Sequence, residues 1–292
     1  MSTLQVSSEF VGVPWNEITK EITWRDTTNY AAALDDPNPA YFNDERPEGI
    51  IAPPMFVSTL GWPLAENIYA QLPDFPRGVH ERNVHYTAYT EYHAPLCPGS
   101  RLLLKPCICH MRQQRSGVLC VFKFPAFNES GAPVYTEYMG VLCRDVVLTG
   151  GDKGYSPQAP HLAEEPDVPL WETAVPISKV FPYVYDGCTG IRNPIHTSPK
   201  YAHSVDLPDI IAQGTTTIAF GVREVTNREL LGDPISIKVI AGRLTAMVFP
   251  NDCLRVQCLA RHNEDGIARI HFRVLNSASK IALSDGYLEA AQ

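Results

Sequence analysis

The stretches 185-YDGCTGIRNPIHTSPKY-201 and 34-LDDPNPAYFNDE-45 each carry Asn-Pro, followed three residues after the Asn by a ring that can move a proton: His196 in the later stretch, Tyr41 in the earlier. Asn hydrogen-bonds its own backbone and Pro presets φ, so the pair marks a tight turn. Both turns precede an apolar segment and then a series of strands. Asn38 and Asn193 lie 155 residues apart, Ile50-Ile51-Ala52 and Ile210-Ile211-Ala212 lie 160 apart, and the strand-to-turn segments ending at Pro98 and Pro250 lie 152 apart. Similar parts in the same order at a nearly constant offset describe a tandem duplication. Each half is expected to wrap a curved antiparallel sheet around a central helix, an α+β arrangement.

Working outward, the first unit reads as a helix over Thr27–Leu34, with Asp26 as its cap, stopped by Pro37 and Pro39. A second helix fits MFVSTLGWPLAENIY, with Pro63 kinking or dividing it. From Val84 the texture turns to strands: VHYTAYTEYHAPLCPGSRLLLKPCIC, broken at Pro98-Gly99, then GVLCVFKFPAF and VYTEYMGVLCRDVV joined by the hairpin segment NESGAP. Residues Leu148–Val175, rich in Pro, Gly and acids and without sustained periodicity, read as a linker. The same order then returns, with DIIAQGTTTIAFGVREV followed by strands at SIKVIAGRLTAMVF, CLRVQCLAR, ARIHFRVLN and KIALSDGYLEA. The expected organisation is an N-terminal repeat over 1–147, a linker over 148–175 and a C-terminal repeat over 176–292.

The chain has 292 residues, 45% hydrophobic and 19% charged, ample apolar material for two domains of ordinary size. Its net charge of −8 and scattered basic residues argue against nucleic acid as a partner, because phosphate binding needs a concentrated cationic face. The opening MSTLQVSSEF lacks a basic segment followed by an apolar run, and no apolar stretch suits a bilayer span, so the protein reads as soluble and cytoplasmic, without a membrane partner. The eight cysteines form no compact framework and read as buried free thiols. Cys107-Ile108-Cys109-His110 lacks a second pair at zinc-site spacing, so no metal and no cofactor is expected.

The Asn-Pro-Ile-His of Asn193–His196, the following IIAQGTT and the GRLTAMVFPNDCLRV segment resemble the MaoC-like, or hydratase-2 type, group of hotdog-fold enzymes. DDPNPAYF, GIIAPPMF and YHAPLCPGSRLLL look like the N-terminal dehydratase-like repeat of the same group. The resemblance implies a fused double hotdog, with both central helices packed on one continuous sheet and a thioester tunnel between the repeats. It also implies a lyase that hydrates an enoyl thioester, or dehydrates a 3-hydroxyacyl thioester, carried on coenzyme A or acyl carrier protein. Oligomeric state is left open, a homo-oligomer included.

The family string Asp-x-Asn-Pro-x-His supplies a carboxylate and an imidazole to one water. Here His196 and Asn193 are in place, but Ile191 stands where the acid falls; in the first half Asp36 and Asn38 match, and Tyr41 replaces the His. Three repairs are open. Asp186 could fold back towards His196 through the glycines Gly187 and Gly190; Asp36 could act across the repeat interface; or His196 could work alone, with Tyr41 or a substrate group supplying the second proton. Gln213 and Gly214 fall where the central helix begins, so the Gly214 N–H is a candidate donor to the thioester oxygen, whereas Pro53-Pro54 fill the equivalent place and Pro has no N–H. Met55, Phe56 and Trp62 of the first half are candidates to line an acyl pocket. The missing acid keeps two alternatives in view: an isomerase or cyclase acting on a polyketide-like or other bulky substrate, and a non-catalytic thioester-binding partner subunit.

Overall fold

Strand-forming runs in both halves join into one sheet. The structure, a computed structural model, describes residues 4–292; Met1–Thr3, part of the segment read for a leader, lie outside them. The first half contains β1 (Leu4–Ser7), β2 (Ile18–Glu21), α1 (Trp24–Ala33), α2 (Pro39–Phe42), α3 (Ser58–Glu66), α4 (Ile68–Gln71), β3 (Asn83–Tyr92), β4 (Arg101–Leu104), β5 (Cys107–Gln114), β6 (Gly117–Phe127) and β7 (Pro133–Arg144). After β8 (Val146–Thr149), β9 (Lys153–Gly154) and β10 (Trp171–Pro176), the second half adds α5 (Phe181–Thr189), α6 (Pro199–Ser204), α7 (Gly214–Glu229), β11 (Ile237–Leu244), β12 (Cys253–Glu264), β13 (Ile267–Leu275) and β14 (Ile281–Ala291).

A 12-stranded sheet runs β10-β12-β13-β14-β11-β3-β7-β6-β4-β2, with β5 on β6 and β9 on β5. The halves meet where β11 pairs antiparallel with β3, Ile240 opposite Thr90, Ala241 opposite Tyr89 and Gly242 opposite Ala88. That register is what a pseudo-twofold axis through Tyr89 and Ala241 requires. On the helical side Tyr30 of α1 and Tyr185 of α5 meet across the same axis, their ring centroids 5.9 Å and their hydroxyls 3.4 Å apart. The fold is a double hotdog, as expected.

The second half holds the long central helix. In α7 Thr215 through Val222 are all buried, because this part of the helix lies inside the sheet's curve, and the charged residues Arg223, Glu224, Arg228 and Glu229 follow only beyond it. Gly221 permits that closeness: a Cβ there would lie 2.6 Å from the Phe272 ring. The counterpart in the first half, α3, has only nine residues. Pro63 sits within it rather than dividing it, and the break falls at Asn67, before α4.

Four local expectations are corrected. Asp26 is not the cap of α1; Thr23 is, and Asp26 completes a capping box by accepting from the Thr23 N–H at 3.2 Å, so the helix starts earlier than its apolar pattern. The last residues of the stretch read as linker, from Trp171, form β10 against β12. Met55 and Phe56 are core side chains, each 3% exposed and packed away from the cavities described below. All eight cysteines are unpaired, but only Cys120, Cys143 and Cys258 are buried and Cys253 is exposed.

One core acid departs from the apolar pattern. Glu137 of β7 is 3% exposed under α3, its Oε2 without a partner, and burial pushes its carboxyl from 4.5 up to about 8. The folded state therefore holds a proton that the unfolded chain releases, and stability is lost as the pH rises from 4.5 through about 8. Glu137→Gln, which keeps the shape and drops the ionisation, is expected to raise the melting temperature above wild type at pH 8, with the gap closing below 4.5. Thermal melts across that range check it.

Candidate active site

Asn193 builds the turn that presents His196. Its side chain accepts from the Ile195 N–H at 3.1 Å and caps the short helical turn Pro194–His196, whose Pro begins the turn where no N–H is needed. The Ile211 N–H then donates to the Ile195 carbonyl, 3.3 Å, and ties the turn to the segment entering α7. In the first half the same tie runs from Ile51 to Ala40, 2.9 Å, so the two turns share one backbone scaffold.

His196 is 8% exposed, and its Nδ1 lies 2.8 Å from the Ile211 carbonyl. A carbonyl only accepts, so Nδ1 carries the proton and Nε2 presents a lone pair. Among the described residues Nε2 has no protein partner, and it remains accessible. Burial lowers the ring from 6.5 to about 4, with the Ile211 contact working weakly the other way. The imidazole is therefore neutral at physiological pH.

It lines a cavity of about 440 Å³ whose walls come from both repeats. The second half contributes Ile191, His196 and Gln213–Thr215; the first contributes Trp62, His85 and Arg144. Gly214 and Thr215 open α7 without a side-chain cap, and among the described residues their N–H groups have no backbone acceptor, which leaves two donors at the positive end of a 16-residue helix. The Thr215 hydroxyl is held 3.0 Å from Tyr185 Oη. Gln213 is buried, donating from Nε2 to the Pro182 carbonyl at 3.1 Å and leaving Oε1 unpartnered. Arg144 is exposed at the end of β7, with no carboxylate within 4.0 Å among the described residues, so it marks the open edge.

The other candidates fall elsewhere. Asp186, on α5, makes no hydrogen bond with His196 and does not line the cavity; it acts on Glu66, whose carboxyl is raised mainly by burial and then by that neighbour. Asp36 accepts from the Asn38 N–H at 3.3 Å, burial raises its carboxyl to about 6, and Arg223 opposes the shift. Asn38 donates to the Gly232 carbonyl, 2.7 Å. Tyr41, 2% exposed, packs with Ala31, Ala40 and Ile51. Neither Asp36 nor Tyr41 reaches the His196 cavity. The pseudo-symmetric place, lined by Ile51, Pro53, Pro54, Tyr92 and Ile237, has shrunk to about 110 Å³.

His85 and Arg144 escape motif reading. Both lie on strands of the half that lacks the His, and His85 is an ordinary member of an alternating run. The duplication itself held the signal: at the 152-residue offset of Pro98 and Pro250, His85 corresponds to Ile237, an imidazole where the other copy is apolar.

Fold and site together define a double-hotdog protein with a cavity walled by both repeats. A model of the MaoC like domain matches residues 163–281, and one of the FAS1-like, dehydratase domain region matches residues 9–137. The chain belongs to the MaoC-like double-hotdog family. It is 33% identical over 66 residues to a peroxisomal enoyl-CoA hydratase 2 of Arabidopsis thaliana, 23% of this chain and 21% of that one. It is 25% identical over 174 residues to the enoyl-CoA hydratase ChsH3 of Mycobacterium tuberculosis, 59% of each. The chain thus covers less than two thirds of the length of either relative. A crystal structure of a MaoC-like dehydratase from Phytophthora capsici superposes with a TM-score of 0.81 at 19% identity, covering 97% of this chain and 98% of that one.

Since Asn193 holds the turn with a single side-chain cap, Asn193→Ala is expected to cost about 1 kcal/mol of stability, read from denaturant unfolding, while Asn193→Asp retains most of it.

Proposed function

We propose that the chain is a hydro-lyase that adds water to an enoyl thioester, or removes it from a 3-hydroxyacyl thioester, with His196 as its base. The observation that carries this reading is a neutral imidazole with its Nδ1 fixed and its Nε2 free, lining one cavity with the uncapped N-terminus of a buried helix. The enoyl-CoA hydratases among its relatives support the substrate class; the carrier, coenzyme A or acyl carrier protein, is part of the proposal.

In the hydration direction, Nε2 of His196 takes a proton from water as the oxygen bonds to Cβ of the enoyl group. The π pair moves through Cα to the thioester oxygen, where the Gly214 and Thr215 N–H groups meet the developing charge. The imidazolium returns its proton to Cα, so one water is added and the enzyme is unchanged. No carboxylate is needed for this balance. Asn193 positions the turn, Trp62 borders the acyl side, and Arg144 at the open edge suits the carrier's phosphates. Gln213 holds the start of the helix through Pro182. Asp36, Tyr41 and Asp186 have no part in this chemistry.

The apolar Ile191 at the acid's place leaves no carboxylate to raise the basicity of His196, and this favours one competing reading, a non-catalytic thioester-binding subunit. Turnover on a panel of 2-enoyl-CoA esters, from crotonyl to hexadecenoyl, decides between them. His196→Ala is expected to lower kcat by at least about 10²-fold while thioester binding persists. An absence of turnover in the wild type alongside intact binding would favour the subunit.

The base works deprotonated, and its pKa of about 4 lies below the ordinary 6.5. The wild-type kcat/KM is therefore expected to show no acid limb near 6.5 and to fall only as the pH drops towards about 4. Ile191→Asp, which places a carboxylate beside the ring, is expected to move that limb up by at least about one pH unit. Initial rates across the pH range of the folded protein measure both.

A further inference from the structure

His85 is the one other imidazole on the wall of the His196 cavity. It stands on β3 of the first repeat and reaches a cavity whose base belongs to the second, an arrangement created by the β3–β11 pairing. Both of its ring nitrogens are shut off from solvent, and among the described residues neither makes a hydrogen bond, so a ligand meets them only once the ring turns towards the cavity. The Thr87 main chain faces the ring without completing one. The ring packs against the Trp62 indole, centroids 5.6 Å apart. On its other side it lies against Gly214: a Cβ on Gly214 would stand 3.7 Å from His85 Nδ1, an ordinary van der Waals distance that sets the imidazole beside the first turn of α7.

A buried donor and acceptor without partners cost free energy, and an orphaned pair at a cavity wall is accounted for when a ligand supplies the missing group. The orphaned atoms gather here. Of nine buried side-chain nitrogen and oxygen atoms without a partner among the described residues, three belong to His85 and Gln213, which line this cavity, whereas Trp62 Nε1 is turned towards the Glu66 carboxyl. Burial also lowers the His85 ring to about 4, so at neutral pH it is uncharged, with one N–H to give.

We propose that His85 is a second catalytic residue, an N–H donor to the thioester carbonyl oxygen beside the N-terminus of α7. The inference rests on the thioester reading of the site. As the π pair of the enoyl group moves onto the oxygen, the His85 N–H strengthens its hydrogen bond to the developing oxyanion and keeps its proton throughout. The proton that leaves water goes to His196 and from there to Cα, so no second proton transfer is required. The first repeat has lost its own base and contributes instead an electrophile to the base of its neighbour. An uncharged imidazole suits the task, because it offers an N–H without a counterion to displace.

The test uses the full chain with crotonyl-CoA and its longer 2-enoyl homologues. His85→Leu removes the donor, and kcat is expected to fall by about 10²-fold to 10³-fold while KM changes little. His85→Gln returns an N–H and is expected to recover at least about tenfold of that loss, which a purely structural role would not produce. In the wild type, nitrogen-labelled and assigned by comparison with the Gln variant, the His85 ring N–H resonance is expected to move downfield when acetoacetyl-CoA, an enolate mimic, is added. That readout holds even if the Leu variant fails to fold. A folded Leu variant with kcat within about twofold of wild type, a Gln variant no better than Leu, or an unmoved resonance with bound ligand overturns the role of His85 and leaves the thioester reading intact. A wild type that turns over none of the esters overturns the thioester reading, and this inference with it.

Discussion

Antiparallel pairing of β3 with β11 is the constraint from which the site follows. Each repeat alone would end its sheet on an edge strand of unpaired N–H and C=O groups. Joining the two edges satisfies those groups and places the repeats about a pseudo-twofold axis marked by Tyr89 and Ala241 on the sheet and by Tyr30 and Tyr185 between the helices. The same register brings β3, with His85, beside the start of the other repeat's central helix. A cavity with walls from both halves is therefore a product of strand pairing and has no counterpart in either half alone.

The two pseudo-equivalent places have diverged by physical steps that can be named. In the first half a Tyr fills the position of the His and is buried among Ala31, Ala40 and Ile51; two prolines replace the helix-opening residues and remove N–H donors; and the central helix stops after nine residues. The space there has closed to about 110 Å³, against about 440 Å³ on the other side. Packing gained in the closed half carries no further demand for polar chemistry. The open half keeps uncapped donors and an imidazole with a free lone pair, groups whose desolvation is offset only when a ligand occupies the space.

Desolvation also sets the character of His196. With Ile191, 1% exposed, in the place where the family pattern has an acid, burial meets only a backbone carbonyl in opposition, and the ring stays neutral with its tautomer chosen by Ile211. The result is a base that is always available and intrinsically weak. A weak base puts more of the burden on stabilising the oxygen where charge develops, and that is the region in which the α7 N-terminus and His85 converge.

The duplication, the strand order of both halves and the turn carrying His196 were legible in the residues, because Asn-Pro turns, strand alternation and Pro-Gly breaks act over a few positions and recur at a steady offset. The same local reading mistook Asp26 for a cap and missed β10, whose partner lies far along the chain. It could not separate Trp62, which borders the cavity, from Met55 and Phe56, which fill the core, since all three are apolar residues of one segment. Sequence by itself determined which chemical groups are present: one His on the turn, Ile191 in the place of an acid, and no N–H at Pro53-Pro54. Only the tertiary structure decided which of them meet. Asp36, Asp186 and Tyr41 do not reach the His196 cavity, and His85 lines it because strand register across the seam joins residues some 150 positions apart, a contact that no local pattern encodes.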